Sequence, residues 1–126
     1  MVEFAVIGAF LMLLLIGIME FGLAILAKNT VTASAREGAR FAIVRGTESG
    51  MTTNAAAVAT YVEGKTALSP ITVVTTWDDP ETTAANDGTK APGMVVQVKV
   101  NYTHKPIGPV IPAIVLTSTS RMVISY

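Results

Sequence analysis

The sequence predicts an α+β protein in which one long N-terminal helix packs on a small antiparallel sheet. An apolar segment at the N-terminus continues into an amphipathic helical pattern that extends to about residue 45. One short helical stretch and three runs rich in β-branched residues follow. The 126 residues suit a single small unit, which we divide into the long helix 1–46 and a head 47–126.

The first half of the long helix is apolar enough to enter a membrane. Residues 4–19 hold no charged side chain, and after Glu20 the apolar pattern resumes as far as Ala27. About 20 such residues span a bilayer, so residues 1–27 are predicted to lie in a membrane or among packed helices. For Glu20 two interpretations stay open: pairing with a neighbouring subunit, or snorkelling at the headgroup boundary. The residues predicted to pack in a helix core are Phe4, Gly8, Leu11, Leu15, Gly17, Glu20, Phe21 and Gly22.

The second half of the helix is amphipathic. The pattern runs to Arg45, and Gly46 is the expected stop. Glu37 and Arg40, three residues apart, are expected to form a local pair, and Gly38 is either a weak point or a site of close packing. The predicted head-facing stripe recurs at a spacing of three to four residues and consists of Val31, Ala35, Ala39 and Ala42.

The head begins with a short helix, predicted over Ala55–Leu68 with Asn54 as its N-cap. This helix is expected to bury Val58, Tyr61, Val62 and Leu68. In the middle strand, Val96, Val98, Val100 and Tyr102 alternate onto one face and predict the buried side of the sheet. The predicted strands are Ile71–Trp77, Met94–His104 and Leu116–Tyr126.

Neither composition nor motifs predict a catalytic, cofactor or metal site. The chain has no cysteine and zero formal net charge, which argues against thiolate chemistry and against nucleic-acid binding. His104 is the only histidine and is interpreted as a surface or strand-end residue. The acidic loop residues Asp78, Asp79, Glu81 and Asp87 do not have calcium-loop spacing and are interpreted as solvated.

Asn101 begins the one glycosylation sequon, Asn101-Tyr102-Thr103, which lies within a predicted strand. Modification there is a weak prediction, because the motif is short and unspecific. An ordinary strand residue is the interpretation that we favour for this position.

Two stretches of the long helix resemble a known family. The opening Val2-Glu3-Phe4-Ala5 and the segment Gly17–Gly22 resemble the TadE-like pilins and pseudopilins of tight-adherence pili. The segment Ala35–Ala42 (AREGARFA) resembles the A-R-E-G-A-R-[FY]-A stretch of the same family. Within it, the residues that define the helix-head motif are Arg36, Glu37, Gly38 and Arg40.

The resemblance implies a type IV pilin-like fold and a role as structural subunit of an extracellular filament in adhesion or motility. It implies copies of the chain, a prepilin peptidase and an inner-membrane assembly platform as partners, with the membrane as the location before assembly. It also implies that Glu3 neutralises the terminal amine of a neighbour, although pilins usually place that acid fifth. Two alternatives remain: a minor pseudopilin that primes or caps another filament, or a membrane-anchored surface-binding module.

The basic residues that flank the apolar segment all follow it, from Lys28 onward. Taken alone, this asymmetry would place the head in the cytoplasm. A basic leader that precedes residue 1 and is later removed would reverse that orientation, and we expect such processing. The alternative, that Met1 is the translational start, stays open.

Overall fold

A computed structural model of the chain describes residues 2–46, 51, 53–78, 90–106 and 112–125. The helices are α1 (Val2–Ile43) and α2 (Ala55–Lys65), and the strands are β1 (Ile71–Asp78), β2 (Val95–His104) and β3 (Ile114–Val123). This arrangement confirms the predicted α+β class. Both helices end slightly earlier than expected, and β3 is shifted toward the N-terminus relative to the predicted Leu116–Tyr126.

α1 is one continuous helix of 42 residues, which gives a rod about 63 Å long at 1.5 Å per residue. Glu3 lies in its first turn and Arg40 in its last turn, where each charge complements the helix dipole. α2 begins as predicted, because the Asn54 side chain accepts a hydrogen bond from the backbone N–H of Ala57 at 2.7 Å.

The sheet has three antiparallel strands in the order β1-β2-β3, so that β2 is central. In β2, Val96, Val98 and Val100 are fully buried, which confirms the predicted inner face. Lys99 on the opposite face is exposed. The period-2 alternation therefore sets which face of the sheet meets α1.

The core lies between the second half of α1, the inner face of the sheet and α2. The predicted stripe of α1 is buried along its whole length, and Val58 and Val62 of α2 are buried against it, as expected. Tyr61 and Leu68 are only partly buried, because they lie at the margin of this layer. A Cβ atom built on Gly38 would lie 2.7 Å from Val62 Cγ2 and 3.1 Å from Val98 Cγ1. Gly38 is therefore the close-packing site, and not a weak point of the helix.

Some sequence predictions fall outside the part of the chain that the structure describes. These are Asp79, Glu81, Asp87 and Tyr126. Within the described ranges, no group of three or more histidine, cysteine or acidic side chains is placed to hold a metal ion.

Candidate assembly surface and head-docking site

The first half of α1 carries its large apolar side chains on the outside. From Val2 to Leu26 these side chains are exposed, and Phe4 at the tip is 84% exposed. This part of the helix is exposed, and it is long enough and apolar enough to cross a membrane. The rod therefore presents an apolar surface that this chain does not itself cover.

Glu20 is the one residue between Val2 and Leu26 that is buried, at 3% exposure. Its Oε2 atom lies 3.7 Å from Nε2 of His104, which is itself largely enclosed at the end of β2. The two groups form an ion pair when the imidazole carries a proton. The interpretations of Glu20 made from the sequence need correction, because Glu20 packs under the head of its own chain. His104 is the last residue of β2, which confirms the strand-end interpretation, but its side chain faces inward and not to the surface.

The sequence contained a signal for this contact. The buried positions of α1 include Glu20, Ala27, Val31, Ala35, Ala39 and Ala42, so Glu20 lies on the same helical face, about two turns before Ala27. His104 likewise continues the inward alternation of β2 beyond Tyr102. Extending the helical periodicity by two turns and the strand alternation by one step brings the acid and the imidazole together.

A groove of about 200 Å³ opens at this contact, where α1 leaves the head. Gly17, Phe21 and Ala24 line it from the helix, and Pro106 and Ile114 line it from the head. The groove is mainly apolar, with Glu20 and His104 as its polar groups. It marks the boundary between the exposed and the covered halves of the helix.

Beyond this groove, Lys28 attaches the helix to the edge of the sheet. Its Nζ atom donates a hydrogen bond to the backbone carbonyl of Thr117 in β3 at 2.5 Å. β3 is an edge strand, and a cation on such an edge discourages pairing with the strand of another molecule.

The AREGARFA segment holds α1 against α2. The Tyr61 hydroxyl donates a hydrogen bond to Glu37 Oε1 at 2.9 Å, and the Tyr61 ring stacks on Phe41 at 4.1 Å between centroids. The guanidinium of Arg45 lies 3.7 Å above the Phe41 ring. The hydrogen bond to Glu37 raises the pKa of Tyr61, with desolvation and the Glu37 charge acting in the same direction.

This geometry corrects the local pair expected between Glu37 and Arg40, since the Glu37 carboxylate turns to Tyr61. Arg36 and Arg40 are exposed on α1. The motif therefore does three things. Gly38 allows close packing, Glu37 and Phe41 contact Tyr61 of α2, and Arg36 and Arg40 present positive charges to the outside.

The remaining residues of the predicted helix core are not part of the core of the head, and Gly17 and Phe21 meet the head only at the groove. Glu3, Phe4, Leu11 and Leu15 are exposed. A Cβ atom added at Gly8, Gly17 or Gly22 would meet no atom within 4 Å. Their packing role concerns contacts between molecules, so it stays a prediction.

Asn101 lies on the outer side of the central strand, and its Oδ1 atom accepts a hydrogen bond from the Thr117 hydroxyl at 2.9 Å. The side chain is half-buried and tied to the neighbouring strand. Glycosylation at Asn101 stays a prediction.

A long helix with a protruding apolar half, packed on a small antiparallel sheet, is the arrangement of type IV pilins. Residues 1–40 match the family model described as TadE-like protein, which confirms the resemblance inferred from the sequence motifs. The match covers the apolar rod and most of the AREGARFA segment, and it associates the chain with tight-adherence pili. No curated protein and no solved structure matches the chain.

Proposed function

We propose that this chain is a structural subunit of an extracellular tight-adherence pilus, with the apolar rods bundled in the filament core and the heads on its surface. The observation that carries the proposal is the exposed apolar half of α1, Val2–Leu26. Adhesion or motility is the role that we expect for the filament.

The physical argument starts from the cost of leaving this surface in water. Each large aliphatic or aromatic side chain that is transferred from water to an apolar environment contributes about 1.5–3 kcal/mol. Lipid and the rods of other copies are the two environments that could cover the whole circumference of Val2–Met19. The subunit therefore passes from the inner or cytoplasmic membrane, before assembly, into a helix bundle afterwards, with a prepilin peptidase and an assembly platform as the implied partners.

The glycines of the rod support helix bundling more than a lipid environment alone. Gly8 and Gly22 have open space around them in the single chain, so the fold of the chain does not require them. Each costs about 1 kcal/mol in a helix relative to alanine. Small residues allow helices to approach closely in a bundle, which is a reason to keep them.

Glu3 is the proposed partner of the terminal amine of a neighbouring subunit. It is exposed at the start of α1 and so is available to another molecule. An unpaired charge in an apolar bundle is costly, whereas a paired one is tolerated, so this contact would set the register between rods. We propose no catalytic activity and no cofactor for the chain.

The test is to purify filaments from the native source, image them by electron microscopy and measure their protein composition by mass spectrometry. The proposal expects this chain to be the main component. A trace share would instead indicate the minor pseudopilin, and a detergent-stable monomer with no filaments in any condition would indicate the membrane-anchored module.

The role of Glu3 is tested in the same assay with Glu3→Ala, and Glu3→Asp serves as the matched control that keeps the charge. We expect Glu3→Ala to lower the filament yield strongly while the protein level in the membrane is unchanged. A normal filament yield from Glu3→Ala would remove the proposed role of this acid in register.

A further inference from the structure

The end of the head that faces the apolar rod has an unusual surface. We define the head tip as the described residues that follow β2 and those that precede and begin β3: Lys105, Pro106, Pro112, Ala113, Ile114 and Val115. Ile114 pairs in register with His104, and both line the groove beside Gly17 and Phe21. The head tip therefore lies beside the last turns of the exposed apolar half of α1.

The chemistry of the head tip differs from that of the outer sheet face. Val115 belongs to the outer face, and Ile114, paired with His104, lies at the open end of the inner face. Ile114 is 42% exposed and Val115 is 64% exposed, and Lys105 next to them is exposed as well. The six described residues of the head tip include one cation and no acid. Further along β2 and β3 the outer face is mainly polar, with Lys99, Thr119 and Arg121. An apolar patch with a cation at its margin suits the boundary between acyl chains and phosphates.

The length of the rod places this patch at the level of a membrane surface. From Val2 to Met19 the helix rises about 27 Å at 1.5 Å per residue, close to the hydrocarbon thickness of about 30 Å. Glu20 follows directly, and the head encloses it together with His104. A span that fills the hydrocarbon core therefore brings the head tip onto the headgroups.

We propose that, before assembly, the head tip docks on the surface of the phospholipid bilayer. Ile114 and Val115 enter the headgroup boundary, and Lys105 contacts lipid phosphates. The Glu20–His104 contact lies at the same depth, covered by the head and shielded from the acyl chains. This inference rests on the membrane stage of the proposed function and adds a second contact with the bilayer, made by the head.

The test uses single cysteines, which the chain permits because it has none of its own. Val115→Cys reports the head tip, and Val123→Cys is the matched control at the other end of the same strand, with a similar exposure of 55%. The two positions are about 27 Å apart at 3.4 Å per residue. Each full-length variant is labelled with an environment-sensitive fluorophore and reconstituted at low protein-to-lipid ratio in vesicles that contain phosphatidylglycerol.

We expect the label at position 115 to shift to shorter emission wavelength and to lose most of its intensity when spin-labelled lipids are added. The label at position 123 should keep its aqueous emission and its intensity. Lys105→Glu, added to the Val115→Cys background, should reduce the quenching in anionic vesicles. Circular dichroism of each variant confirms that the head is folded.

Equal water exposure of the two labels would overturn the proposal. The proposal would also be overturned if the label at position 115 were protected from water only at high protein density and were not quenched by spin-labelled lipid. A second copy of the chain would then cover the patch. Filament assays on the unlabelled protein separate the two proposals. Quenching at position 115 without any filaments supports docking and opposes the filament function. Filaments without quenching support the filament function and oppose docking.

Discussion

The two halves of α1 belong to one continuous helix, yet they differ in which side chains are buried and which are exposed. In the half that packs on the head, the buried residues are small: alanines, Gly38 and Val31. In the protruding half, leucine, isoleucine, phenylalanine and methionine are exposed, and the buried residue is Glu20. Hydrophobicity alone therefore does not tell which half meets the head.

Side-chain size explains the difference. Small residues on α1 let the sheet and α2 approach the helix backbone, as the 2.7 Å clash at a Gly38 Cβ shows. The resulting core is filled from the other side by Trp77, Val98 and Val62. Large side chains would hold the head away, so they are placed where the partner is lipid or another rod. Four substitutions test this comparison.

The largest effect is expected from Gly22→Leu in the protruding half. The single chain leaves open space at this position, so the head should fold normally. In a bundle the added side chain would separate neighbouring rods, and most filaments should be lost. Filament yield by electron microscopy is the measurement, and Gly22→Ala, with a much smaller side chain, is the control. Normal yield from Gly22→Leu would mean that no rod approaches this glycine closely.

In the covered half, Gly38→Leu should destabilise the head directly. The new side chain meets Val62 and Val98, and overpacking of this kind costs about 3 kcal/mol. Denaturant unfolding in detergent, followed by circular dichroism, measures the loss. Gly64→Leu is the matched control, because the same change in α2 meets open space and should be neutral or slightly stabilising. Equal effects of the two changes would contradict the close-packing role of Gly38.

At the boundary between the halves, His104→Leu should cost about 2 kcal/mol, because it removes a polar neighbour from the buried Glu20 carboxyl group. The double variant Glu20→Leu with His104→Leu should recover most of this loss, since apolar replacement of both partners is often nearly neutral. A double-mutant cycle on unfolding free energies measures the coupling. Additive single effects would show that the two groups do not interact.

The smallest effect is expected from Tyr61→Phe, which removes the hydrogen bond to Glu37 and keeps the ring stacked on Phe41. A slight loss of stability should appear near neutral pH. Folding raises the pKa of Tyr61 above its ordinary value of about 10, so its contribution is complete below that pH and is lost as the pH rises through the folded value. The stability gap between wild type and Tyr61→Phe should therefore narrow above pH 10, measured by unfolding at a series of pH values. A gap that stays constant with pH would argue that the hydroxyl makes no contribution through Glu37.

Much of the fold was predictable because local patterns and tertiary packing agree. The Ala35–Ala39–Ala42 stripe, the alternation of Val96, Val98 and Val100, and the Asn54 cap all appear as expected. Each depends on the spacing of apolar residues along one element or on a hydrogen bond between residues close in sequence, so neighbouring residues are enough to predict it. The family match at residues 1–40 likewise rests on contiguous motifs.

The contacts between distant residues were the ones that sequence reasoning missed. Glu20 and His104 are 84 positions apart along the chain, and neither lies in a motif that indicates a contact with the other. The sequence predicts an ion pair between Glu37 and Arg40, because only pairs three or four residues apart on one helix can be recognised from spacing. The actual partner of Glu37, Tyr61, becomes available only when α2 packs on α1.

Composition and periodicity act within each segment, so the residues alone predict an apolar rod, an amphipathic continuation and a small sheet. The point at which the head ends along the rod emerges from tertiary packing, since it depends on how β2 and β3 lie against α1. Tertiary packing thereby determines that Glu20 is enclosed with His104 and that the apolar side chains before it are left for other molecules to cover.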